Sequence, residues 1–238
     1  VLRAVWALGA DWRVGVTRGL IFGGRATSVP VTFRTVGLML LGLTDVPAKD
    51  SDFENQVASL DVSWRTAVSG TPLRLHLEYG VDDSGWAFVY VPAVTLGGEV
   101  LRPGEDGFHT LGARIVWIAP STGSYPEWYR HGALAWGWTD RGVLLGHELG
   151  GEGWGLSLDA FRSSGSGEYG VRLLVSRRGE ENLLAPPGAG WGVESRLEGR
   201  TVLWSRSPGA LLAGWRLAAG ALPHQRYLAG ALSAAYRF

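Results

Sequence analysis

An antiparallel transmembrane β-barrel is the fold this sequence predicts, and three observations predict it. Segments with an apolar residue at every second position recur along most of the chain. There are roughly ten to twelve of them, against the five or six strands of a typical open sheet. Gly, at 36 of 238 residues, is about double its average usage, and 12 tryptophans accompany it. The last stretch, Tyr227 to Phe238, alternates for about ten residues, the length of one tilted strand across a bilayer.

In that last stretch Phe238, Tyr236, Ala234, Leu232, Gly230 and Leu228 share one side, and Arg237, Ala235, Ser233, Ala231 and Ala229 the other. Ending on an aromatic, it resembles the closing strand of bacterial outer-membrane barrels. A C-terminal edge strand of a soluble sheet has the same local pattern, so the rest of the chain decides. Gly with Trp suits curved sheets ringed by indoles, half in the apolar layer and half in the headgroups.

Composition excludes several classes. Charged residues are 18% of the chain and formal net charge is zero, so no basic field points to nucleic acid. Lys49 is the only lysine; the cationic side chains are otherwise arginines. With no cysteine there are no disulfides and no thiolate metal sites. The longest apolar run, Val36 to Leu43, is about half the ~18 residues of a transmembrane helix. The chain starts at Val1 without an initiator Met or leader, as expected of a processed chain or of the C-terminal part of a longer one.

Taken in order, Arg3 to Leu8 and Trp12 to Phe22 read as the first strands, the second ending at Gly23-Gly24. After Pro30 strict alternation disappears. Phe33, Val36, Leu40 and Leu43 recur at three- and four-residue spacings, predicting a short helix or plug near 30–43. Asp45 to Asn55 is a polar loop. Gln56 to Arg65 and Leu73 to Gly80 alternate again, the latter with Leu73, Leu75, Leu77 and Tyr79 opposite Arg74, His76 and Glu78.

Asp82 to Gly98 reads as a folded-in loop leading to a strand, and Leu111 to Trp117 as a further strand. Trp154 to Phe161 and Tyr169 to Arg177 pair around Ser163 to Gly167. In Trp191 to Arg206 the apolar phase slips from odd to even positions, which predicts a turn or bulge at Glu198-Gly199. Leu211 to Ala221 then leads to the last strand. Counted back from a periplasmic C-terminus, the 163–167 loop is expected outside and the 179–190 loop inside. One domain spans 1–238, with no repeat and no linker.

The segment Tyr125 to Gly153 concentrates histidines, tryptophans and carboxylates. His131, His147 and Glu148 suggest a metal or acid–base site, but His147 and Glu148 are adjacent rather than at metallohydrolase spacing, and no third ligand stands out. No spacing selects a glycosidase pair of carboxylates, and there is no G-x-S-x-G, phosphate loop or Cys nucleophile. The sequence calls for no cofactor and no catalytic step.

The run WYRHGALAWGWTDRGVLLGHELGGEGWGLSL, from Trp128, is similar to the signature segment of capsule-assembly outer-membrane proteins of the Wzi type. GVTRGLIFGGR (Gly15 to Arg25) and NQVASLDVSWR (Asn55 to Arg65) resemble that family too, in the family's order. The resemblance implies an outer-membrane barrel with helical elements at its periplasmic side, anchoring exported capsular polysaccharide at the cell surface without catalysis. The family is longer than this chain, so it also implies an incomplete barrel lacking strands before Val1. Trp136-Gly137-Trp138 departs from the tyrosines expected there, which keeps a stacking surface and loses hydroxyl donors.

The same segment suits carbohydrate by its chemistry. The indoles of Trp128, Trp136 and Trp138 offer flat faces to pyranose rings. Arg130, Arg141 and His131 are donors for hydroxyls or uronic acid carboxylates, and Tyr129 and His147 complete the candidate set. These residues equally suit an interfacial girdle and a lumen network. The expected partners are an acidic capsular polysaccharide and outer-membrane lipid. The rival readings are a porin-like channel and a soluble secreted β-rich glycan hydrolase.

Overall fold

The computed structural model describes residues 2–22, 32–34, 37, 54–82, 92–120, 128, 139–140, 143–144, 147, 149–179, 190–206, 209–222 and 225–237. They form the strands β1 (Leu2–Leu8), β2 (Trp12–Phe22), β3 (Glu54–Val68), β4 (Thr71–Asp82), β5 (Pro92–Gly104) and β6 (Gly107–Ile118). Two short ones follow, β7 (Thr139–Asp140) and β8 (Val143–Leu144). The series ends with β9 (Gly153–Ser164), β10 (Gly167–Arg178), β11 (Gly190–Arg206), β12 (Gly209–Leu222) and β13 (Gln225–Arg237). β7 and β8 pair only with each other. The other eleven form one antiparallel sheet in chain order, from β1 to β13.

Each of the eleven therefore pairs with the one before it, across short turns and long segments alike. Ser69 (φ 50°) and Gly70 (φ 77°), both left-handed, make the two-residue link from β3 to β4. Among the described residues the sheet is open: β1 pairs only with β2, and β13 only with β12. Closure into a barrel is thus absent among the described residues, as is any helix long and apolar enough to cross a membrane. Of the expected helix or plug near 30–43, Phe33, Arg34 and Gly37 are helical, and the rest lies outside the described residues.

The register sorts side chains onto two unlike faces. One row across the sheet reads Trp6, Val14, Val62, Leu77, Leu96, Ile115, Leu156, Val175 and Val193. This outer face has no layer packed on it among the described residues. Leu77 is 45% exposed, Ile115 55%, Leu228 74% and Leu232 90%. An uncovered apolar face of this extent is the reverse of what a soluble sheet tolerates. Near one edge of it, Trp117, Trp154, Arg177 and Trp191 occupy successive strands, and the rings of Trp154 and Trp191 meet edge to face at 4.9 Å. Near the other edge Trp12 stacks on Trp64 at 5.5 Å, and Tyr169 and Trp215 flank Gly199.

Two expectations are corrected. First, β11 runs straight through Glu198-Gly199; the irregularity falls between Val202 and Trp204, where Leu203 is left out of the register. Gly199 interrupts the apolar pattern without breaking the strand, because the indole of its partner Trp215 lies where a Cβ would stand. The bulge shifts the register so that Glu198 faces Arg216 and Leu197 faces Leu217, polar with polar and apolar with apolar.

Second, with β11 as one strand, the turn at 165–166 lies at the same rim as the end of β13. The 179–190 segment lies at the opposite rim, which reverses the expected sidedness. The rim of 165–166 also carries the short links 9–11, 69–70, 105–106 and 207–208. The other carries the longer segments 23–53, 83–91, 119–152 and 179–189, together with the short 223–224 link. β5 lies partly within the 82–98 stretch read as a loop leading to a strand. It starts at Pro92 and continues through Gly97, over which the imidazole of His76 lies.

Candidate functional site

The inner face is polar and cross-linked by ion pairs between strands. Arg3 meets Asp61 at 2.9 Å, Arg74 meets Glu99 at 2.9 Å, and Arg216 meets Glu198 at 3.1 Å; Arg172 pairs with Asp159 and Arg178 with Glu194. Alternation puts these residues on one face, and the register sets opposite charges on the same or adjacent rows, except that Arg178 reaches two rows along to Glu194. Such a lining is costly to bury in an apolar core and natural against water.

At the rim of the long segments this face is covered. Trp128 is 4% exposed and Leu149 fully buried; with Val116 and Ile118 they form an apolar cluster, against which Val57 and Ala93 also pack. Gly80 of β4 admits the Trp128 ring, which comes within 3.4 Å of where a Cβ would stand. Both Trp128 and Leu149 belong to the chain between β6 and β9, which at these two points lies over the inner face.

Arg178, 1% exposed, ties that segment down. Its Nε donates to the Leu149 carbonyl at 3.1 Å, and its Nη2 to Glu194, whose other carboxylate oxygen accepts the Tyr227 hydroxyl. Among the described residues the Arg178 Nη1 and the Ser176 hydroxyl are buried without hydrogen-bond partners, both close to where a Gly192 Cβ would stand. The loop backbone is held further by the Gly150 N–H to the His147 carbonyl at 2.9 Å and the Gly179 N–H to the Glu152 carbonyl at 3.1 Å.

Of the polysaccharide-binding candidates, Trp128 is therefore inside the apolar cluster. His147 is half-buried, its Nδ1 accepting the Leu149 N–H at 3.0 Å. Tyr129, Arg130, His131, Trp136, Trp138 and Arg141 lie outside the described residues. Among the described residues no three His, Asp or Glu side chains gather as a metal site.

Arg178, Glu194 and Tyr227 were not anticipated from the sequence. Their signal was present as charged or hydroxyl residues on inward positions, but their meeting depends on register across four strands, β10 to β13. Set against models of known protein families, curated proteins and solved structures, the chain matches none of them.

Proposed function

We propose that this chain is the wall of an outer-membrane β-barrel. The observation that carries the reading is the bare apolar belt of the outer face, bounded by tryptophans near both rims, opposite an ion-paired inner face. In water each outward Leu would forgo about 1.5–3 kcal/mol of burial. In lipid the same residues are satisfied, and the indoles sit at the headgroups. Closing the free edges of β1 and β13, with each other or with further strands, belongs to the proposal, because unpaired edges are untenable in hydrocarbon.

Within that architecture we propose the capsule-assembly role that the resemblance implies, holding exported acidic polysaccharide at the cell surface with no catalytic step. Cover over one end of the inner face by Trp128 and Leu149 supports an anchor over an open pore. Deleting the gene in an encapsulated host tests this: capsule shed into the medium supports the anchor, and capsule retained at the wild-type level contradicts it. The ion-paired lining favours a porin-like channel as the second reading, which requires conductance in planar bilayers.

A further inference from the structure

Away from the covered end, towards the short-turn rim, the inner face holds a depression of about 510 Å³ spanning β9 to β13. That is within the ~300–1,000 Å³ range of ligand sites. Its floor is low because β12 and β13 present small residues there: Gly214, over which the Ser233 hydroxyl leans, and Ala231. Phe161 walls one side, its ring lying across Gly170 where a Cβ would be. Glu198 is held by Arg216, and Glu168 accepts the Ser163 hydroxyl at 3.2 Å. Arg200, set opposite Glu168 in the register, makes no ion pair among the described residues and is exposed.

We propose that this depression is a subsite for a carboxylated sugar residue, with Arg200 taking the carboxylate. The guanidinium fork matches a carboxylate in two parallel hydrogen bonds, and of the two arginines here Arg200 is the one not already paired. Phe161 supplies an apolar surface for a ring face. Glu168, Glu198 and Ser233 supply acceptors for hydroxyl groups, which a bare anion would not use. The site lies at the opposite end of the inner face from Trp128 and His147, and shares none of the candidates read from the sequence. It rests on the polysaccharide reading and names the chemistry of the sugar.

The test is calorimetry on the full chain in detergent micelles, with a galacturonic acid oligomer, a glucose oligomer of equal length, and inorganic phosphate. The uronic acid oligomer is expected to bind best. Arg200→Gln and Phe161→Ala are each expected to weaken it at least about tenfold, while gel migration before and after heating confirms that both variants fold. Unchanged affinity in both variants overturns the subsite and leaves the polysaccharide reading standing. Phosphate competing as well as the oligomer overturns it in favour of a bare anion site. If neither oligomer binds, the polysaccharide reading falls too.

Discussion

The two ends of the inner face are built from overlapping strands and finish differently. At the long-segment rim, β10 contributes the inward Arg178 and β9 Gly155, and the chain between β6 and β9 covers them with Leu149, which packs with Trp128. At the short-turn rim the same two strands contribute Glu168 and Phe161, and the surface stays open. The difference lies in the connections. A two-residue turn such as Gly165-Ser166 has no large side chain to fold back, whereas the 119–152 segment has enough chain to return over the sheet and bury an indole. One sheet thus has a fixed end and an accessible end, and the accessible one suits a ligand.

Removing the cover should have the largest effect. Trp128→Ala is expected to cost about 3–5 kcal/mol of local stability, read as faster amide exchange at Leu149 and Gly150 while β11 to β13 stay protected. Arg178→Met should loosen the same end by about 3 kcal/mol, because it strands Glu194 and orphans the Leu149 carbonyl. Adding Glu194→Gln should recover part of that loss, since no uncompensated carboxylate then remains. Neither change should alter ligand affinity at the open end; if it does, the two ends are coupled and the contrast fails.

Outer and inner positions should diverge in the same way. Leu158→Arg, near the middle of the belt, is expected to cost about 2–4 kcal/mol in reconstituted bilayers. Ala229→Gln, on the inner face, is expected to cost less than about 0.5 kcal/mol. Chemical denaturation from vesicles checks both.

The smallest effect is at the turn between β5 and β6, where a hydrogen bond and the positive charge of Arg162, at 2.6 Å, hold the Asp106 carboxyl below its usual range. That contribution is complete above the ordinary carboxylate value, near pH 4, and disappears as pH falls through the lowered one. Asp106→Asn should therefore flatten the acid limb of stability and leave neutral pH almost unchanged.

Much of this architecture was legible in the sequence because period-2 alternation is local. The β9–β10 hairpin shows it best. A two-residue turn at Gly165-Ser166 fixes Asp159 opposite Arg172, so even the ion pair follows from the spacing. The bulge at Leu203 was illegible. Only the pairing with β12 distinguishes it from a turn at Gly199, since the missing apolar side chain at Gly199 is supplied by Trp215 from the next strand. Arg178 was hidden beside Arg177, which stands on the outer face between Trp154 and Trp191. Adjacent arginines look alike until the face of each is known.

Because the chain has no cysteine, single-cysteine variants from Leu228 to Ala235 can carry a spin label without background. In vesicles, labels at Leu228, Gly230, Leu232 and Ala234 should collide mainly with oxygen dissolved in the acyl chains. Those at Ala229, Ala231, Ser233 and Ala235 should collide mainly with a water-soluble nickel chelate. Equal access of the chelate to both sets would contradict a lipid-facing outer surface.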